Sequence, residues 1–304
     1  MTSRTRVALA TLIAGMATPS ALLAQPEGPA QLTERATTDA PEENTTSLAV
    51  SGGFVGSAGN TQAWTLNFGA SFRLVRGRHA LTIDEAFSYG RARLDINDPE
   101  TDLEDTVRNS VALARYDLFL TARDAVFASI RHRWDTFAGL DTRLQAQIGY
   151  LRNLYIAEDE EGAQTQRAWV EAGYDLTWDN RFPNPIALPE DQAPEVCATE
   201  PDRPECFFDD TDIVHAARVF FGYDGRIGET SQLVLGLELL PALAAPADGA
   251  PYDLRINADA AFRTTIFENL KLELKLRILH DTDPVPGALE TDYQTLVSLI
   301  YSVL

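Results

Sequence analysis

From Ser47 to the C-terminus, apolar and polar residues alternate over stretches of about ten positions, which is the period of a β-strand. Helical spacing is scarce. In the second stretch Trp64, Leu66, Phe68, Ala70, Phe72 and Leu74 share one face, while Thr65, Asn67, Gly69, Ser71 and Arg73 share the other. Leu144, Ala146, Ile148 and Tyr150 likewise alternate with Arg143, Gln145, Gln147 and Gly149. Ala168, Val170, Ala172, Tyr174, Leu176 and Trp178 alternate with Trp169, Glu171, Gly173 and Asp175. The late stretches are cleaner: Leu270, Leu272, Leu274, Leu276 and Ile278 oppose Lys271, Glu273, Lys275 and Arg277. The pattern predicts twelve strands near 47–56, 61–75, 79–90, 107–120, 125–135, 142–154, 166–178, 213–225, 231–240, 252–266, 270–280 and 293–303.

A soluble β-sandwich also alternates, so strand length and connections must choose between architectures. Strands of about ten residues suit a tilted transmembrane barrel, whereas sandwich strands average about 5 to 6. Twelve is even, as single-chain outer-membrane barrels require. Connections near 91–106, 179–212, 241–251 and 281–292 fall on one rim, and the short links 75–78, 121–124, 226–230 and 267–269 fall on the other. A longer acidic turn at 155–165 and two short outer links at 57–60 and 136–141 are the exceptions. Long loops on one side and short turns on the other are the asymmetry of outer-membrane barrels. Tyr and Trp recur near the strand ends (Trp64, Tyr89, Tyr116, Trp134, Tyr150, Tyr155, Trp178, Tyr223, Tyr252, Tyr301), as interfacial girdles require. The expected architecture is an all-β, antiparallel transmembrane barrel over 47–304, located in the outer membrane among lipid and lipopolysaccharide.

The N-terminus supports export. Arg4 and Arg6 precede an apolar run from Val7 to Met16, and a small-residue stretch ends at Ala24, with Leu22 at the −3 position. This is the order of a signal peptide over 1–24. Residues 25–46 are rich in Pro, Thr, Glu and Ala and read as a flexible periplasmic leader, whose folding back as a plug the sequence leaves open. Removing Arg4 and Arg6 moves the net charge from −20 to −22, which argues against nucleic acid as a partner. In an exported chain Cys197 and Cys206, nine apart, read as a local disulfide, and no metal-ligand spacing accompanies them.

Certain motifs occur in order along the chain: Ser57-Ala58-Gly59-Asn60-Thr61 after a glycine-rich strand, Tyr116-Asp117-x-Phe119-Leu120, Phe137-Ala138-Gly139-Leu140-Asp141-x-Arg143, and a final Leu299-Ile300-Tyr301-Ser302-Val303. Together they resemble the YdiY-like family of salt-induced outer-membrane proteins, over most of Ser47 to Leu304. The resemblance implies an outer-membrane barrel, largely of unknown function, and carries over no catalytic residue. Two departures stand out. The chain ends one residue past the expected terminus, which bears on its reading by barrel-assembly machinery, and the cysteine-bearing loop is longer than the resemblance implies.

Candidate chemistry sits on the polar faces and in the loops. Arg131, Arg133, Arg143, Glu171, Asp175, Arg218, Glu238, Arg255, Asp259, Arg263, Lys271, Glu273, Lys275 and Arg277 are expected to face one lumen. They form either a constriction that selects solutes or a paired ladder filling a narrow lumen, since eight strands pack solid and sixteen leave a channel. The loop 179–212 holds Asp179, Glu190, Asp191, Glu195, Glu200, Asp202, Glu205, Asp209, Asp210 and Asp212, an acidic rim able to gather divalent cations or simply to be solvated. Asp95, Asp98, Glu100, Asp102, Glu104 and Asp105 make a second such rim.

No enzyme and no cofactor are expected. His132 alternates with Ile130 and Trp134 and faces outward; His280-Asp281 with Asp283 is the sole arrangement that a barrel hydrolase would use, and no Gly-x-Ser-x-Gly elbow is present. The sequence therefore supports an outer-membrane barrel, structural, stress-related or a narrow passive pore, against two rivals: a soluble periplasmic or secreted β-sandwich that binds a ligand, and a barrel hydrolase.

Overall fold

The computed structural model describes residues 44–57, 63–93, 103–137, 140–160, 164–181, 211–244, 252–282 and 289–303. They form twelve antiparallel strands: β1 (Thr46–Ser57), β2 (Ala63–Arg76), β3 (His79–Ala92), β4 (Glu104–Phe119), β5 (Asp124–Asp135), β6 (Leu140–Glu158), β7 (Gln164–Arg181), β8 (Thr211–Ile227), β9 (Ser231–Pro241), β10 (Leu254–Phe267), β11 (Leu270–Asp281) and β12 (Thr291–Ser302). Each strand pairs with its chain neighbours, and β1 pairs with β12 to close the ring. One closed sheet, not two facing sheets, disposes of the sandwich alternative. The closing ladder is short: Ala49, Val50, Ser51 and Gly52 oppose Ser302, Tyr301, Ile300 and Leu299. By contrast β1 and β2 stay in register from Thr46 opposite Leu74 to Ser57 opposite Ala63.

Each expected strand is present within a few residues of its expected bounds. The connection 155–165 is the correction. β6 continues to Glu158 and β7 begins at Gln164, with register shifts at Asn153/Tyr155 and Ala157/Glu158. Those bulges break the alternation, so the sequence pattern stops short of where the hydrogen bonding does. The acidic loop needs correction at both ends too: Asp179 belongs to β7 and Asp212 to β8. Glu104 and Asp105 open β4, where Asp105 pairs with Arg91 at 3.1 Å. The signal peptide, nearly all of the leader, Cys197, Cys206 and the remaining loop acids lie outside the described residues.

The two rims differ. β2–β3, β4–β5, β8–β9 and β10–β11 are joined by tight turns on the rim that also carries both strand termini, the turn rim. Gly77 (φ 56°) makes the two-residue link from Arg76 to His79, and Gly228 (φ 64°) opens the link from Ile227 to Ser231; both conformations strongly favour glycine. At the β4–β5 turn the Thr121 hydroxyl donates to the Asp124 carboxylate at 2.6 Å and accepts from the Asp124 amide at 3.0 Å.

The outward face is apolar. Phe54, Phe68, Ile83, Ile148, Phe262 and Leu274 are exposed there, apolar surface of the kind that marks an interaction or membrane face. Aromatic side chains band the barrel at two heights. Trp64 packs edge-on against Tyr89 and Phe87 leans on Trp134 towards the loop rim, while Tyr116, Tyr155 and Tyr301 are exposed towards the turn rim.

The core is the lumen. Val75, Ala80, Phe119, Ala125, Phe127, Leu151, Trp169 and Phe220 form a buried apolar cluster on the inner face, towards the turn rim. Trp169 lies over Gly222, its register partner on β8, where a Cβ would overlap the indole. Gly222→Ala is therefore expected to destabilise the barrel by about 1–3 kcal/mol through overpacking. The double variant Gly222→Ala/Trp169→Leu should recover part of that loss, read as the urea midpoint of heat-modifiable gel migration.

Candidate functional site

Strand alternation places one residue in two on the inner wall, and β4 to β11 spend many of those positions on charge. Glu171 of β7 sits at the centre. Its Oε2 accepts from Arg115 Nη1 at 3.1 Å and from Arg218 Nη1 at 2.5 Å, so one carboxylate serves guanidiniums from β4 and β8. Arg115 reaches across β5 and β6 to do so. It also holds Asp117 through Nε and Nη2 at 2.8–3.1 Å. The Phe127 ring lies beneath both cations, 4.1 Å from the Arg115 guanidinium carbon and 5.3 Å from that of Arg218.

From there the contacts run around the wall. Arg218 Nε donates to Glu238 Oε1 at 2.6 Å, and Asn257 of β10 donates to Glu238 Oε2 at 2.9 Å. Gln147 of β6 spans the lumen, donating to Asp175 at 2.8 Å and to Glu238 at 3.5 Å. Gln145 also donates to Asp175, at 2.6 Å, and accepts from Arg131 at 2.9 Å. Arg255 of β10 approaches Asp175 at 3.5 Å and donates to Thr177 at 3.3 Å. Strands β4 to β10 are thus tied by one polar network, and Arg115, Glu171, Asp175, Arg218 and Glu238 within it are buried to 1 % exposure or less. Towards the loop rim Arg143 grips Asp179 through two bonds of 2.7 and 2.6 Å, and Arg133 meets Asp135 at 3.1 Å.

A second group lies on β10 and β11. Asp259 takes Arg277 at 2.9 Å and Lys275 at 3.9 Å, and Arg263 donates to Glu273 at 2.7 Å. The wall it faces is built of small residues: Ala49 and Ser51 of β1, Gly69 and Ser71 of β2, and Ser298 of β12, around a cavity of about 30 Å³. At the turn rim a vestibule of about 580 Å³ opens among Thr165, Asp224, Arg226, Gln232, Arg263 and Lys271. Arg263 touches both spaces.

All fourteen charged residues singled out in the sequence lie on the inward phase of their strands. Arg131, Arg133, Glu171, Asp175, Arg218, Glu238, Asp259, Glu273, Lys275 and Arg277 are buried; Arg143, Arg255, Arg263 and Lys271 are half-buried. The lumen network takes in Arg131, Glu171, Asp175, Arg218, Glu238 and Arg255, and the β10–β11 group takes in Asp259, Arg263, Glu273, Lys275 and Arg277. Lys271 stands apart in the vestibule. Missed were Arg115 and Asp117, although Arg-x-Asp on the inward phase of β4 was the signal for them, and Gln145, Gln147 and Asn257, whose neutral amides carry no such signal. Of the hydrolase arrangement, His280 is on the outward phase of β11, bonded to Thr291 at 2.9 Å, and Asp281 is on the opposite phase, while Asp283 lies outside the described residues. His132 faces outward.

Because Glu171 accepts from two buried guanidiniums that keep Asp117 and Glu238 as their other partners, Glu171→Ala is expected to destabilise the barrel by about 1–3 kcal/mol, the cost of leaving buried donors unsatisfied. Glu171→Gln, which keeps an acceptor in place, should lose less. Urea titration of folded and unfolded gel bands in detergent measures both.

A family model described as protein of unknown function, DUF481, matches residues 50–303. That description names neither salt induction nor a YdiY-like group. No curated protein matches the chain. Among solved structures the chain is similar to the NanC porin, with 8% identity, 85% of this chain and 100% of that one covered, and a TM-score of 0.46. It is also similar to an outer membrane channel from Pseudomonas putida F1, with 11% identity, 94% and 100% covered, and a TM-score of 0.43. The translocator domain of the autotransporter NalP from Neisseria meningitidis follows at 9% identity, 84% and 86% covered, and a TM-score of 0.39. With the family model running from β1 to β12, the chain belongs to the DUF481 family of proteins of unknown function.

Proposed function

We propose that the protein is an outer-membrane barrel whose lumen is a nearly closed, charge-lined conduit for small polar solutes. One observation carries this reading. The network from β4 to β10 crosses its half of the lumen, and a pocket of about 30 Å³ lies between Arg263, Glu273 and Lys275 on one side and the short residues Ala49, Ser51, Gly69, Ser71 and Ser298 on the other. Arg263 also lines the turn-rim vestibule of about 580 Å³ on the β7–β11 side, and we read the two spaces, which share that side chain, as one narrowing path. A space the size of the smaller pocket admits about one or two water molecules. Charged residues beside so narrow a passage set which ion enters and how fast.

The membrane setting is supported by the exposed apolar belt, the aromatic bands and the difference between the rims. An envelope-stress role in high salt, which the YdiY-like resemblance implies, is the physiological setting we propose for such a conduit. Deleting the gene should then slow growth in concentrated NaCl, with rescue by the wild-type chain.

Single-channel recording in a planar bilayer tests the conduit directly. The wild type is expected to conduct far less than an open sixteen-stranded porin. Glu273→Ala removes the carboxylate to which Arg263 donates at 2.7 Å and makes that side of the passage more cationic, so conductance should rise several-fold and shift towards anions in a salt gradient. Conductance at baseline in both proteins would reject the conduit and leave a filled barrel.

A further inference from the structure

Among the described residues, one carboxylate stands on the outward face at the middle of its strand: Glu85, the seventh of the fourteen residues of β3. It is exposed, and no hydrogen bond or ion pair joins it to a described residue. Ala70 of β2 and Ala112 of β4 flank it in register, and Ile83 and Phe87 lie along its own strand. On the membrane reading, on which this inference rests, that carboxylate sits within the apolar belt. Ionisable groups at that depth are expensive and are kept where something pairs with them. Among the described residues the single barrel supplies no such partner.

The same face offers one. His132 of β5 is in register with Ala112, so Glu85 and His132 stand on either side of a single alanine column. His132 is exposed, and its Nε2 lies 3.5 Å from the Thr142 hydroxyl, a long contact. Ser110, Ala112, Ala114 and Ala128 keep the patch low, which lets a second backbone come close, as small residues do where membrane segments pack.

We propose that the β2–β5 face docks against the same face of a second copy of this chain, with Glu85 of each copy meeting His132 of the other. Two barrels inserted with the same orientation are related by a two-fold axis parallel to the barrel axis, and such contacts are self-complementary. An axis in front of Ala112 carries β3 of one copy onto β5 of its partner. The acid and the imidazole then exchange across the interface, and Glu85 leaves the lipid.

The test uses the full chain with Cys197 and Cys206 replaced by Ser, recovered from membranes in mild detergent and oxidised with copper phenanthroline. Ala112→Cys, close to the axis, should form a covalent dimer, while Leu237→Cys on β9 should stay monomeric. Glu85→Gln or His132→Ala in the Ala112→Cys background should lower the cross-linked fraction several-fold while the barrel keeps heat-modifiable migration. A monomeric Ala112→Cys barrel, an adduct with a different protein, or a dimer indifferent to Glu85→Gln would each overturn the proposal. Recovery of the parent chain only from the soluble fraction, without heat-modifiable migration, would overturn the membrane reading and the docking with it.

Discussion

The ring of backbone hydrogen bonds is the constraint from which the rest of the molecule follows. Once β1 meets β12, the described ladder has no free edge, and each residue of a strand must point either into the lumen or away from it. The period of two then forces a division of chemistry: most leucines, isoleucines and aromatics go outside and most arginines and carboxylates go in, with Phe119, Phe127, Leu151, Trp169 and Phe220 in the inward apolar cluster. Twelve strands enclose too little space for a wide water column and too much for alanine alone. Charge that enters such a space has to find opposite charge across it, and Glu171 between Arg115 and Arg218 is where that requirement is met most tightly.

The two halves of the lumen answer the requirement differently. From β4 to β10 the inner wall carries long side chains that meet across the interior, with Trp169, Phe127 and Phe220 beneath them. Around the small pocket, from β12 through β1 to β2, it carries Ala49, Ser51, Gly69, Ser71 and Ser298, none of them long enough to cross the interior. The small pocket beside Arg263, Glu273 and Lys275 is therefore eccentric, with long β10 and β11 side chains on one side of it and a wall of short residues on the other.

The strands were legible because alternation is a local property. Leu270 to Ile278 against Lys271 to Arg277 announces both an element and its two faces. It failed where hydrogen bonding outlasts alternation, at the β6–β7 bulges around Asn153 and Tyr155. The charged lumen residues were readable one strand at a time, yet whether they fill the lumen was not. That depends on Gln147 of β6 reaching Glu238 of β9, a pairing between strands that are not neighbours. Trp169 reads as an oddity on a polar face until Gly222 is seen beneath it. Glu85 drew no notice, since one acid among alternating residues is unremarkable until its height on the barrel is known.

The β1–β12 ladder is shorter than any other in the ring, and Gly52 within it has no side chain to pack. A hoop parts at its weakest join, whatever the strength of the struts inside. Heat should unclasp this molecule there while the Glu171 network still binds β4 to β10 together. The product would be a curled ribbon with two bare edges, each a template for another chain. The tendency to aggregate would thus be governed by a few residues far from the lumen charges.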